Sequence, residues 1–283
     1  MSEDEKDYSV FLAGDNAGFE RLVIRYKDGL IYYLNKIIKN ITVAEDLAQD
    51  AFVEVYVHKE RFVPGKLNQI VMTHNPSEYS GMFSIRNLAA NGEVWTGEGE
   101  KTIRYYDQNP INVGPRQNEN TKSIALRFDY GPFSYYTGGD VAGGVRDAEG
   151  NPVSVEAKVG QACGQVDVCK TNHHAYKDAM VEGFLEGVRP GNYISCAWDI
   201  WHTQPELMER MLSYSDGMIF HQFVWPDFLK DHQDADWYSR LYTKGGHIVV
   251  KAFDKGRQYM IYVLDDTTEA MLIKDVFGPF SAE

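Results

Sequence analysis

Cysteine is scarce in this chain: Cys163, Cys169 and Cys196 are the only three among 283 residues. Their odd number and the absence of any C-x-x-C spacing argue against a structural zinc site or a dithiol redox pair, and point to reduced thiols in a cytoplasm. Long apolar runs are missing too. None approaches the roughly 20 residues that span a bilayer. The acidic start Met1-Ser-Glu-Asp-Glu-Lys-Asp7 leads into no apolar segment of signal-peptide type. Positive charge is in deficit, with 28 Lys and Arg against 41 Asp and Glu and a formal net charge of −13. Such a surface repels polyanions, so indiscriminate binding to DNA, RNA or anionic lipid is disfavoured. A polar linker is also lacking where the character of the text changes, at Val63-Pro64-Gly65.

What remains is ordinary globular material. The length suits one large domain or a small one plus a medium one. Hydrophobic content of 43% can fill a core, and the 13% aromatic share, with 18 Tyr, favours a sheet-rich body.

Before Val63 the pattern is helical. Phe19, Leu22, Val23, Tyr26, Leu30, Tyr33, Leu34, Ile37 and Ile38 recur at three- and four-residue intervals and form one stripe of a helix about twenty residues long. Asn40 interrupts it. Thr42 and Glu45 then make a capping box for a second helix with Leu47, Ala51, Phe52 and Val55 on its apolar face, and the two are expected to pack as a hairpin. The stretch Phe19-Glu-Arg-Leu-Val-Ile-Arg-Tyr26 with Ala44-Glu-Asp-Leu-Ala-Gln-Asp-Ala-Phe52 resembles the start of region 2 in extracytoplasmic-function sigma factors. The resemblance covers under a quarter of the chain. It implies that Glu45, Asp46, Gln49 and Asp50 form a polar face that docks on the RNA polymerase clamp or on an anti-sigma factor. The promoter-melting residues and the second DNA-reading domain of that family have no counterpart here, so promoter DNA is not an expected partner. A merely solvated charged face is the alternative reading.

After Pro64-Gly65 strands and helices alternate. Ile124, Leu126, Phe128 and Tyr130 alternate with polar or small residues, Gly131-Pro132 turns the chain, and a strand over 133–136 ends at Thr137-Gly-Gly-Asp140. A second strand, 166–170, ends at Asn172-His173-His174, with a helix expected over about 177–187. Pro190-Gly191 opens a strand over 193–198. Thr203-Gln-Pro205-Glu206 starts a helix that buries Leu207, Met208, Met211 and Leu212. His247–Phe253, a turn at Asp254-Lys-Gly256 and Gln258–Leu264 read as a β-hairpin. Strands ending in carboxylate or imidazole groups are how layered α/β proteins gather ligands at one sheet edge.

This order, with Asn120-x-x-Ser123-Ile-Ala-Leu-Arg-Phe128, Tyr136-Thr-Gly-Gly-Asp140, Val166-Asp-Val-Cys-Lys-Thr-Asn-His173-His174 and Val263-Leu-Asp-Asp266, resembles the metallo-β-lactamase superfamily. The lactamase-like domain of the bacterial DNA-uptake channel protein is the nearest in kind. The resemblance implies an αββα sandwich holding one or two metal ions, zinc most often. It assigns Asp140 as the metal-bridging aspartate and His173 or His174 as the late histidine ligand. The family's H-x-H-x-D-H loop has its best counterpart at His74-Asn-Pro-Ser-Glu78-Tyr79, which keeps His74 and has Glu78 in the aspartate's place, but puts Pro76 and Tyr79 where histidines belong. Three donors plus Glu78 make one ion the expectation rather than two.

The fold class read from the chain is therefore α/β or α+β: a helical hairpin over 1–63, then an αββα sandwich over 64–283 that is incomplete because the strands preceding the H-x-H loop are missing. The expected function is that of a cytoplasmic, metal-dependent hydrolase with a degenerate site. Asp140 and His174 would be its catalytic residues, His74, Glu78, Asp140, His173 and His174 its metal ligands, zinc or manganese its ion, and a small ester or phosphoester its substrate. The alternatives are an RNA polymerase or anti-sigma interaction module, and a fusion of two gene fragments without function as a whole. His58, His202, His221, His232 and His247 fit no motif and read as structural or exposed. Trp198, Trp201, Phe220, Phe223 and Trp225 read as packing residues or as the lining of a cleft.

Overall fold

The computed structural model describes residues 3–57, 77, 79–105, 120–142, 144–146, 152–202 and 204–282. The chain divides into two compact units, Met1–Phe62 and Val63–Glu283. The junction at Pro64-Gly65, His58, His74 and Glu78 lie outside the described residues.

The first unit contains three helices rather than a hairpin: α1 (Glu3–Leu12), α2 (Asn16–Ile38) and α3 (Ile41–Val57). The acidic start is itself helical. Asp4 and Asp7 pair with Arg21 and Arg25 of α2, with Arg21 Nε 2.6 Å and Arg25 Nη2 2.8 Å from the Asp7 carboxylate. Gly18 lets α1 approach, since a Cβ there would lie 2.1 Å from the Asp7 carbonyl oxygen. The interior differs from the expected stripes. Phe11, Ala44 and Ala48 are buried, while Tyr26, Tyr33, Leu47 and Val55 are exposed. Small alanines let α3 come close, and the rings of Phe11, Phe19, Phe52 and Tyr56 fill the remaining space, with Phe11 4.9 Å from Phe19 and Phe19 5.2 Å from Tyr56. The start of α3 is also corrected: Asn40, not Thr42, supplies the side-chain oxygen that accepts from the backbone, here Val43 N–H at 3.3 Å.

In the second unit a nine-stranded mixed sheet runs in the order β11-β10-β9-β8-β5-β4-β1-β2-β3. Its strands are β1 (Phe83–Ala90), β2 (Glu93–Trp95), β3 (Thr102–Arg104), β4 (Ala125–Tyr130), β5 (Phe133–Thr137), β8 (Val168–Lys170), β9 (Asn192–Ser195), β10 (Ile219–His221) and β11 (Leu241–Tyr242). Strands β6 (Gly144–Arg146) and β7 (Pro152–Ser154) form a separate ribbon. From β5 to β11 neighbours are parallel; from β5 to β3 they are antiparallel. The parallel strands are joined through α4 (Val155–Cys163), α5 (Glu182–Val188), α6 (Pro205–Leu212) and α7 (Pro226–Asp231), as parallel pairing requires crossovers.

Strand parity divides the sheet's two faces. Cys169, Tyr193 and Ile219 join Val159, Phe184, Leu185, Met208 and Met211 in a core on the helix side. Val168, Ile194 and Phe220 pack with Ile261 and Val263 on the other. That second face is covered by a three-stranded antiparallel sheet, β12 (His247–Phe253), β13 (Gln258–Leu264) and β14 (Ile273–Ser281). The described residues thus form a helix layer, a mixed sheet and a small sheet. The edges of the large sheet are blunt: β3 has three residues and β11 two, which limits edge-to-edge pairing.

The β4–β5 pair, the β12–β13 hairpin and the buried face of α6 agree with the sequence expectations. The helix expected over 177–187 begins only at Glu182, because His173, His174, Ala175 and Met180 adopt positive φ and hold the preceding segment out of helix. The strand expected over 166–170 is confined to Val168–Lys170.

Candidate functional site

Two loops meet at the carboxyl ends of the parallel strands. The first leaves β5 as Gly138-Gly139-Asp140. Gly138 admits no side chain, since a Cβ there would lie 2.0 Å from the Tyr136 hydroxyl and 2.4 Å from Asn172 Oδ1, and Gly139 turns at φ +54°. The second leaves β8 as Thr171-Asn172-His173-His174. They are stitched together at the Gly139 carbonyl, which accepts from His173 N–H at 3.2 Å and from Lys170 Nζ at 2.8 Å. The adjacent left-handed residues His173 (φ 43°), His174 (φ 57°) and Ala175 (φ 56°) each cost on the order of 1 kcal/mol. Such strain persists only where surrounding contacts dictate it.

The stitching places His174 against Asp140. His174 Nε2 lies 3.2 Å from Asp140 Oδ1, and both side chains are half-buried. On its other side His174 Nδ1 is 3.0 Å from the carbonyl oxygen of Cys196, at the end of β9. A carbonyl can only accept, so Nδ1 carries the proton and the neutral ring turns the Nε2 lone pair toward the carboxylate. Burial, opposed by the Asp140 charge, holds the imidazole below its ordinary value and keeps it neutral at neutral pH. A lone pair facing a carboxylate is repulsive unless a cation satisfies both. Two donors bound to one zinc ion at ~2.1 Å in tetrahedral geometry lie roughly 3.4 Å apart, close to the 3.2 Å separation here. An imidazole whose far nitrogen donates to a backbone carbonyl is also the usual disposition of a metal-ligating histidine.

His173 is turned elsewhere. Its Nδ1 is 2.8 Å from Asp178 Oδ1 and its Nε2 is 3.4 Å from the Asn120 amide nitrogen. His202, on the loop after β9, packs with its ring centre 5.2 Å from that of His174, and the indole of Trp198 stands edge-on to His174 at 4.1 Å. The Nδ1 of His202 is the acceptor for Trp198 N–H and Asp199 N–H at 3.5 and 3.4 Å, which leaves Nε2 protonated and unsuited to ligation. Beside the loops, a cleft of about 570 Å³ is lined by Phe128, Tyr135, Ile194, Ile248 and Val250, with Lys170 and Cys196 also in its wall. Burial lowers the Lys170 ammonium and raises the Cys196 thiol.

Of the residues singled out in the sequence, Asp140 and His174 are brought together, His173 adjoins them, and His74 and Glu78 are outside the described residues. Among the described residues no group of three or more His, Cys, Asp or Glu converges as a ligand set. Asp167 accepts from Ser134 N–H and Oγ at the opposite strand ends, and Asp265 holds its own turn through Thr267. In the first unit Glu45, Asp46, Gln49 and Asp50 are all exposed on α3. Of the aromatic residues, Phe220 is buried, while Trp198, Trp201, Phe223 and Trp225 are 39–58% exposed. Asp178 and Glu156 escaped the sequence reading, and His202 and Trp198 were named there without being tied to the paired histidines, since no spacing connects them; only the fold does. Compared with known proteins, the chain matches no protein-family model and no curated protein.

Proposed function

We propose that residues 64–283 form a metallo-β-lactamase-like body of αββα ancestry that binds one divalent ion through Asp140 and His174 and hydrolyses a small ester or phosphoester. The observation that carries the reading is the 3.2 Å approach of His174 Nε2 to Asp140 Oδ1 with Nδ1 committed to the Cys196 carbonyl. The order of a hairpin ending in Asp140 and a strand ending in paired histidines supports it. When bound, a divalent ion supplies Lewis-acid polarisation and lowers the pKa of water. The chain's own residues do the rest. Asp178 accepts from His173 Nδ1–H and fixes that tautomer, which leaves Nε2 as the acceptor facing the Asn120 amide. Lys170 secures the Gly139 carbonyl and with it the direction of Asp140. The net charge of −13 favours a small substrate over a long polyanion.

Calorimetric titration with zinc tests the reading. One equivalent is expected, with affinity falling at least about tenfold in Asp140→Ala and in His174→Ala, and staying within about threefold in His202→Ala. No uptake, or uptake indifferent to the first two changes, overturns it.

A second reading, as an interaction module, is favoured by the exposure of Glu45, Asp46, Gln49 and Asp50 on one face of α3 beside exposed Ile41, Val43 and Leu47. Capture of the RNA polymerase clamp helices, abolished by Glu45→Lys with Asp46→Lys, is its expected signature; capture that survives the reversal counts against it.

A further inference from the structure

Helix α4 carries a carboxylate that no part of the hydrolase reading uses. Glu156, in its first turn, is wholly buried, and among the described residues no cation pairs with it. Its oxygens instead accept three hydrogen bonds: Asn172 Nδ2 at 2.8 Å and Met180 N–H at 2.7 Å on Oε1, and Val181 N–H at 3.2 Å on Oε2. Those donors bracket the segment that carries His173, His174 and Asp178. Asn172 is held from its other side, where Oδ1 accepts from the Tyr136 hydroxyl at 3.0 Å. The helix itself cannot shift to relieve the arrangement. It meets α5 backbone to backbone, with a Cβ on Gly187 lying 2.3 Å from the Gly160 carbonyl oxygen.

An unpaired buried carboxylate is an expensive way to fill core volume, and its three acceptor contacts fall at the two ends of one loop. We propose that Glu156 is a positioning residue: its carboxylate clamps both ends of the 172–181 segment to α4 and thereby holds His174 at the distance from Asp140 that ligation requires. For its consequence at the metal this rests on the hydrolase reading; the clamp itself does not. Burial, aided by the Asp178 charge and opposed by the three hydrogen bonds, raises the carboxyl to about 7. The other titratable groups that feel its charge are Tyr136 and Cys169, both buried and neutral near that pH. On protonation one oxygen becomes a donor among donors, so a tie to Met180 or Val181 is lost. The loop is therefore expected to loosen as pH falls through 7, even though protonation relieves the buried charge.

The experiment compares the full chain with Glu156→Gln at pH 8. Thermal midpoint, zinc affinity, and protection of the Met180 and Val181 amides against hydrogen exchange are measured together. Glutamine keeps the volume and removes the charge, so the midpoint is expected to hold or rise while zinc affinity and amide protection each fall about tenfold or more. A role in stability alone would instead lower the midpoint and leave protection of these two amides no worse than that of the rest of the core, and that result overturns the proposal. Protection in the unaltered chain, corrected for intrinsic exchange, must also drop between pH 8 and pH 6; this arm needs no variant, and its absence likewise overturns the proposal. If the unaltered chain takes up no zinc but the amides respond as described, the hydrolase reading fails and the clamp stands.

Discussion

Glu156 and His221 should pull the stability of the second unit in opposite directions over one pH window, and the effect is large enough to measure. The Glu156 carboxyl has an ordinary value of 4.5 and sits at about 7 in the folded protein, chiefly through burial. Between those values the native state keeps a proton that the unfolded chain has released, so stability falls as pH rises, by about 1.4 kcal/mol per pH unit and about 3 kcal/mol across the interval. His221 is wholly buried and neither ring nitrogen has a hydrogen-bond partner among the described residues; burial, then the nearby His202, takes it from 6.5 to about 3. The unfolded chain binds a proton there that the native state refuses, so stability is lost as pH falls from 6.5 to about 3, by about 5 kcal/mol in all. Between pH 4.5 and 6.5 the two slopes cancel. All five tryptophans lie in the second unit, so urea unfolding followed by tryptophan fluorescence reports on that unit in the intact chain. Relative to the unaltered chain, Glu156→Gln should gain about 3 kcal/mol as pH rises from 4.5 to 7, and His221→Leu should gain about 3 kcal/mol as pH falls from 6.5 to 4.5. The double variant should track the unaltered chain between pH 4.5 and 6.5. Difference curves flat with pH in either single variant would refute the placement of that group as a buried, charge-free side chain.

The remaining expectations are more local. Gly187→Ala inserts a methyl 2.3 Å from the Gly160 carbonyl oxygen. It should lower stability by about 2 kcal/mol despite the ~1 kcal/mol helix-propensity gain, and a urea midpoint that rises would mean the helices are not in backbone contact. Zinc titration of the Asp140, His174 and His202 variants, the clamp-helix capture with Glu45 and Asp46 reversed, and the Glu156→Gln comparison of midpoint with amide protection complete the set, each with the outcomes given above.

The elements legible in the sequence are those whose signal is local. The β12–β13 hairpin is marked by alternation on both sides of Asp254-Lys-Gly256, and α6 by Pro205 at its start and an apolar face whose four residues are all buried. The interior of the first unit was less legible, because alanine is a weak hydrophobic marker: Ala44 and Ala48 set the α2–α3 approach, and the larger Leu47 and Val55 remain outside. Helix α1 hid behind its acidic residues, whose partners, Arg21 and Arg25, lie fourteen or more positions away. At the site, Asp140 and the paired histidines were readable as strand-end residues. Which histidine faces Asp140 was not, since left-handed φ at non-glycine positions follows from tertiary contacts, here the Glu156 bonds and the Gly139 carbonyl.

The two ends of the same parallel strands are built on different terms, and the contrast supports the proposed site without appeal to any resemblance. At the amino ends polar groups are satisfied: Asp167 accepts from Ser134 N–H and Oγ, while Asn192 donates to the Tyr259 hydroxyl and accepts from Met218 N–H. At the carboxyl ends the bookkeeping is left open. Register pairs Lys170 with Ile194 and Ser195 with His221, so Thr171, Ser195 and His221 follow one another across β8, β9 and β10 on the helix side. These three contribute four of the seven buried side-chain nitrogens and oxygens that have no hydrogen-bond partner among the described residues. Each such atom costs about 1–3 kcal/mol. The left-handed run at His173–Ala175 and the unpaired carboxylate of Glu156 fall at the same edge. A chain under selection for stability alone would place apolar side chains at such positions, because replacing orphaned polar groups by hydrophobic ones of similar shape is neutral or favourable. Concentration of these violations at one strand edge, with the other edge satisfied, is the pattern of a fold that gives up stability where it holds a functional group in place.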